Sequence, residues 1–575
     1  MSATNNGQRR LQMKQNGTTR SQIKRLASIR RRYDATSAGE KLDLVRRLQS
    51  TNISSASDLR KHHETLCFIR AFPDSEELFH AADESLLEFE ERIDRLNKTA
   101  RTALWDTGIG GTPVHYPFSF EVASWLAKNA PGEVSIDWQD VDSDTTRLDE
   151  LLTQLVLPVE TDYFDSGAVT SQEWIDIVAA NAAGTDFDWL FAQLRALRSL
   201  PVLRQLYECA NLPLAWSLRN SDFSKSGNVV PVRKITARID GMRTAGRNTK
   251  AEIQRPLLSI PKLSVGAGQM LIDVAMASLA ARHRETFHFN HANPHEVFLA
   301  NVGKGVSIAV FGLREPFRYP LECTMGFLIL SNGVPVGYGG SSIFFRQANT
   351  GVNIFDEYRG SEAAYLWLQV MRVYHHLVGC TRFIANPFQF GAENDEALKT
   401  GAYWFYYRLG FRSVSPTIRK LAAAEYRKMR RNRNYRCNIS TLRRLASCDM
   451  HLKLPAARAG EFFDEEGFET ASMLATRALG EASGGTRIEA ESDVAWRVSK
   501  ALGIRKLGTW SRSEQSAFRQ LAPILATTDL SSWPMIEKRL ARKLLRAKGG
   551  PLETRYARLL GQNDFLFSKL RAACR

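Results

Sequence analysis

The sequence predicts an α+β multidomain protein: a mixed-sheet α/β domain flanked by an N-terminal mainly α-helical domain and a C-terminal helical module. Three observations carry this. Apolar residues recur three and four residues apart over much of 40–220 and again over 460–575, the spacing of one face of a helix. Between them, β-rich runs separated by turns alternate with two helical stripes. Charge also follows region: residues 1–50 hold 12 Lys/Arg and 3 Asp/Glu, whereas 51–200 hold 11 and 27. With 575 residues, 44% of them hydrophobic, the chain can bury several cores.

Residues 1–39 contain the run Arg30-Arg31-Arg32 and no acidic residue before Asp34. They read as a basic disordered arm. Residues 40–220 follow as an acidic, mainly helical domain, in which Leu86, Leu87, Phe89, Ile93 and Leu96 mark one stripe. The Gly-rich loop after Trp105 has no strand before it and no basic residue after it, so it reads as a structural turn. Residues 221–262 are polar, basic and punctuated by Gly and Pro, as an exposed linker would be.

The α/β domain is expected over 263–418. Its "CTMGFLIL" run is a buried strand, Ser331-Asn332-Gly333 is a tight hairpin turn, and "VPVGYGGSSIFF" returns as the next strand. Gly337, Gly339 and Gly340 leave room for close approach. A third extended run, "TGVNIF", leads into a helix striped by Ala363, Leu366, Trp367, Val370, Met371 and Tyr374. The start of that helix presents free N–H groups and a positive dipole end, which suits a diphosphate. "TRFIANPF" is a further strand, and the helix through Leu398, Ala402, Phe405 and Leu409 stops at Gly410.

This order of hairpin, strand ending at "YRG", helix, strand and helix ending in "FYYRLGF" resembles the GNAT acyltransferase superfamily over roughly 265–415. The resemblance implies an acyl-CoA co-substrate, held by Arg359, Gly360, Ser361, Ala363 and Ala364. It also implies a slot for the pantetheine arm where two neighbouring strands splay beside that loop. The family loop reads Arg/Gln-x-x-Gly-x-Gly/Ala; Arg359 and Ala364 match, and Glu362 replaces the middle glycine. Tyr406, five residues before Phe411, matches the family's general acid toward the departing thiolate. Lys399 replaces a family asparagine. Among Glu322, Asp356 and Glu357, the base is placed on Glu357.

Two functions follow as expectations. One is an acyl-CoA-dependent N-acyltransferase acting on an unknown amine acceptor. The other is a catalytically inactive GNAT-like protein whose basic segments bind nucleic acid or an acidic protein. The latter rests on residues 419–575, read as a basic helical module, because residues 411–450 hold 11 Lys/Arg and 2 Asp/Glu. Arg427, Lys428, Arg430, Arg431 and Arg433 would meet phosphates, with Tyr426 and Tyr435 free to stack on bases.

His288, His291 and His295 fall in a strand-to-turn segment without a matching carboxylate or thiolate, so no metal is expected. Seven scattered cysteines form no CxxC pair, which predicts a reducing, cytoplasmic setting without disulfides. There is no secretory signal pattern and no apolar run of spanning length.

Overall fold

The computed structural model describes residues 17–574 except 143–144, 198, 220, 247, 258, 458–461 and 483–484. It is a mixed α+β fold. Helices fill the N- and C-terminal parts, and the strands gather into a small sheet and a large one. In the small sheet, β3 (Leu214–Ser217) lies between β1 (Pro113–Tyr116) and β2 (Val134–Ile136).

The large sheet holds β4 (Ala292–Gly303), β5 (Val306–Leu313), β6 (Cys323–Ser331), β7 (Val334–Phe344), β8 (Gln347–Thr350), β9 (Asn353–Ile354), β10 (Arg382–Ala385), β11 (Arg412–Ser413) and β12 (Met450–Lys453). Its order is β11-β12-β10-β8-β7-β6-β5-β4, with β9 also on β7. Every pairing is antiparallel except β8 with β10. That parallel pair needs a crossover, and helix Ala363–Val378 supplies it.

The hairpin turn is where its sequence places it. Asn332 (φ +48°) and Gly333 (φ +81°) both take left-handed backbone, as a two-residue turn between twisted strands demands. A Cβ on Gly333 would lie 2.0 Å from the Val230 carbonyl oxygen, so glycine is also needed for a close approach.

Three expected boundaries are corrected by the packing. Residues 17–29, assigned to a disordered arm, are helical and bury Ile23, Leu26 and Ile29; residues 1–16 of that arm lie outside the described residues. Residues 221–262 are no exposed linker. Val230 N donates to Gly333 O, Asn228 Nδ2 donates to Val274 O, and the Arg238 side chain is wholly buried. The break at 418 divides the sheet, because β12 lies between β10 and β11. Short strands such as β12 carry little periodicity, and their place is decided by distant partners.

The C-terminal helices are fastened to the sheet by buried charge. Glu296, on β4, accepts from the backbone N–H groups of Glu553 (2.9 Å) and Thr554 (2.7 Å) and from the Thr554 hydroxyl (2.9 Å). Arg318 lies 3.5 Å from Glu296, and Lys548 pairs with Glu553 at 2.5 Å. Apolar side chains from Ile23 to Leu570 form one continuous core. Among the described residues no helix is long and apolar enough to cross a membrane, and all seven cysteines are free thiols.

Candidate functional site

Two features on the large sheet bear on the expected chemistry: the gap that opens between β8 and β10, and the start of helix Ala363–Val378. The two strands pair only over Gln347–Asn349 and Arg382–Ile384. Past them the first strand breaks at Gly351-Val352 before β9 resumes on β7. The other enters a short 3-10 turn, Pro387–Phe390, capped by Asn386. The strands therefore part.

The side chain of Gln389 occupies this gap. Its Nε2 donates to Thr350 O at 3.2 Å, and its Oε1 accepts from the Tyr406 hydroxyl at 2.6 Å. A Cβ on Gly351 would lie 2.7–2.8 Å from the Gln389 amide atoms, so that glycine makes the room. Tyr406 is buried, with Phe390, Phe405 and Phe411 packed around its ring. Burial pushes its hydroxyl well above the usual tyrosine range, so it keeps its proton and acts as a donor.

The glycines of β7 serve a neighbour as well. The His288 imidazole covers Gly340, where a Cβ would sit 2.0 Å from its Cε1. Burial pushes His288 down to about 4, and does the same to His291, which stacks on Phe317 at 3.7 Å. His295 is exposed. Among the described residues no group of three His, Cys, Asp or Glu side chains is placed to hold a metal.

At the start of helix Ala363–Val378, Gly360 (φ +75°), Ser361, Ala363 and Ala364 come together, but Arg359 does not join them. Its guanidinium turns outward to Asp356 (2.9 Å) and Glu396 (3.0 Å) and is 53% exposed. Arg31 takes the position over the loop, donating to Arg359 O at 2.5 Å, with its guanidinium where a Cβ on Gly360 would lie.

The departure at Glu362 is resolved by partners that lie far away in the chain. Its carboxylate is 0% exposed, 3.0 Å from Arg238 Nε and 3.5 Å from Arg243 Nη1, and accepts from Arg243 N at 3.1 Å. Arg238 also donates to Thr236 O, Lys304 O and the Ser331 hydroxyl. Glu362 thus faces Arg238 and Arg243, with the Arg31 guanidinium beside Gly360 at the same helix end. The only sequence signals were the Arg30–Arg32 run and scattered basic residues in 221–262.

Glu357, the expected base, is held between two cations. It is buried 3.0 Å from Lys225 Nζ and 3.4 Å from Arg282 Nη2. Burial alone would raise its pKa, but the Arg282 and Lys225 cations outweigh it and hold the carboxyl well below the usual range. Such a carboxylate takes up a proton poorly. Asp356 pairs with Arg359, and burial raises Glu322. A carboxylate–imidazole pair that the sequence reading missed lies in the Gly-rich loop: Asp106 Oδ1 sits 3.0 Å from His115 Nδ1 and 3.6 Å from His283 Nε2.

The basic segment begins with helix Pro416–Arg431, which turns Ala422 and Glu425 inward. Arg427, Arg430, Arg431 and Arg433 are exposed, with no carboxylate paired to them among the described residues. Lys428 is held by Glu425 at 2.6 Å. The expected stacking tyrosines are not free. Tyr426 packs inward on Trp404 and Tyr407, and the Tyr435 hydroxyl donates to Glu425 at 2.6 Å.

Comparisons with protein-family models, with curated proteins and with solved structures found no match to this chain.

Proposed function

We propose that the sheet-centred part of the chain is a GNAT-type N-acyltransferase that takes an acyl group from acyl-CoA, or another phosphopantetheine thioester, and passes it to an amine. The observation that carries this reading is the parting of β8 and β10, with the Tyr406 hydroxyl reaching into the gap through Gln389 toward Thr350 O. Gln389 stands there as an amide donating to a strand carbonyl, as an amide of a pantetheine arm would. Entry of the arm displaces Gln389 and releases the Tyr406 hydroxyl. The neutral amine attacks the thioester carbonyl, and the tetrahedral oxyanion collapses with cleavage of the C–S bond. The leaving sulfur takes its proton from Tyr406, and the proton shed by the nitrogen passes to water, from which Tyr406 is reprotonated. The diphosphate meets the N–H groups of the first turn together with Arg31 and Arg243, while Glu362 is already neutralised by Arg238.

Acetyl-CoA, or a longer acyl-CoA, is expected to stabilise the chain by about 2.7 kcal/mol at a hundredfold excess over Kd. Differential scanning fluorimetry reads this as a Tm that climbs with ligand concentration. A Tm that stays flat across a series of chain lengths sinks the proposal.

A second reading is favoured by one observation, the exposed cations Arg427, Arg430, Arg431 and Arg433, which pair with no carboxylate among the described residues. It makes this segment a dock for a polyanion, with or without acyl transfer elsewhere. Binding to double-stranded DNA or RNA should then weaken steeply with salt, and Arg430→Ala with Arg431→Ala should reduce the slope of log K against log salt by about 2. A shallow slope that the substitutions leave unchanged discards it.

A further inference from the structure

The C-terminal helices hold a second cationic feature that neither reading uses. Helices Arg487–Ala501 and Arg512–Ala526 border a cleft of about 600 Å³ lined by Trp496, Lys500, Ile504, Arg505 and Arg519, among others. A second groove of about 560 Å³, which includes Arg487, Glu491, Arg512 and Gln515 in its lining, shares Arg519 with the first. The two grooves thus adjoin at Arg519, and together they are called the track below.

Trp496 lies on the rim of the cleft and is 59% exposed, an unusual position for the residue with the largest apolar surface. It comes from a helix that buries Val494, Ala495 and Val498 on its other side, so its exposure follows from the helical phase and does not signal loose packing. Lys500 Nζ lies 5.0 Å from its ring centroid, and the Ser499 hydroxyl is tied back to Trp496 O at 2.8 Å. The cations along the track are Lys500, Arg505, Arg519, Arg487 and Arg512. Glu491 is the one carboxylate lining it, and it sits 3.7 Å from Arg487. No carboxylate pairs with Arg505, Arg512 or Arg519 among the described residues.

From this geometry we infer that the track binds single-stranded nucleic acid, with one base stacked on Trp496 and the phosphates running past Lys500, Arg505 and Arg519. An exposed aromatic face beside Lys500, Arg505 and Arg519 matches the two demands of such a strand: a sequence-tolerant surface for bases and a positive path for the backbone. The length of the track argues for a strand over a mononucleotide, since a single nucleotide would fill one groove and leave Arg487 and Arg512 unused. An acidic peptide would meet the same cations but gain little from the indole. The inference depends on neither the acyl-transfer reading nor the 427–433 cations.

The test uses the full chain and a fluorescein-labelled oligothymidine of twelve nucleotides, followed by anisotropy at several salt concentrations. Trp496→Ala is expected to weaken binding by about 5- to 150-fold, the loss of one stacked base, whereas Trp496→Phe keeps affinity within about threefold. Arg519→Ala should lower the salt slope by about 1. Because Trp496 is exposed, its variants should keep the wild-type Tm. In parallel, Arg431→Ala reports on the separate basic segment and should leave the effect of Trp496→Ala unchanged.

Four outcomes overturn the inference: no binding of the oligomer, equal binding by the Trp496→Ala chain, competition by AMP or by duplex DNA as effective as the oligomer's own, or polyglutamate binding with the same dependence on Trp496.

Discussion

Replacing Glu362 with alanine is expected to cost about 3–5 kcal/mol of folding stability, read as a lowered midpoint in urea. The carboxylate is fully buried against Arg238, which is itself buried and keeps neutral partners only in Thr236 O, Lys304 O and the Ser331 hydroxyl. Taking away the one close counter-charge leaves a guanidinium stranded in the interior, and that desolvation penalty sets the size of the effect. The double replacement Glu362→Ala with Arg238→Met should recover much of the loss, because an apolar pair of similar volume has no charge to solvate. A single variant within about 1 kcal/mol of the parent would show that the pair does not anchor residues 221–262. The result also bears on function: if Glu362 is a structural ion, its carboxylate is not free to repel an incoming diphosphate.

Replacing Tyr406 with phenylalanine should lower acyl transfer by about 10²- to 10⁴-fold while leaving acyl-CoA binding nearly unchanged, the pattern of a group that acts only as the thiolate leaves. The phenyl ring preserves the packing against Phe390, Phe405 and Phe411. What disappears is the proton donor and one hydrogen bond to Gln389. Stability should fall by only about 1 kcal/mol, and Tm separates that loss from the kinetic one. Unaltered turnover would remove Tyr406 from the reaction. A matching rise in the Kd for acyl-CoA would recast it as a binding residue.

What could be read from the sequence was local. Asn332-Gly333 announced its turn because few residue pairs tolerate two successive left-handed conformations. The helix striped by Leu366, Trp367, Val370 and Met371 ends where Gly379 (φ +82°) stops it. The neighbourhood of Tyr406 was legible in part, through the aromatic run before Gly410. The remainder depended on separation along the chain. Arg238 reaches Glu362 across 124 positions and Arg31 reaches Arg359 across 328, and no local pattern encodes either meeting. Gln389 carries no motif, and its place in the gap follows from Asn386 opening a 3-10 turn as β10 ends. Tyr426 looked like a stacking residue because its neighbours are basic, but the helical phase turns it toward Trp404.

The seating of Glu296 has a consequence for how the chain comes to be folded. Its carboxylate lies on β4, and its backbone donors belong to Glu553 and Thr554, 257 and 258 positions later. A ribosome delivers the whole large sheet well before it delivers those two residues. Until they arrive, the nascent sheet contains a carboxylate that has Arg318 beside it but lacks its three N–H and O–H donors. The seat of Glu296 on β4 therefore stays open to water until residues 553 and 554 have been made. A product released before Thr554 would leave Glu296 with Arg318 as its ion partner but without the three donors that seat its carboxylate.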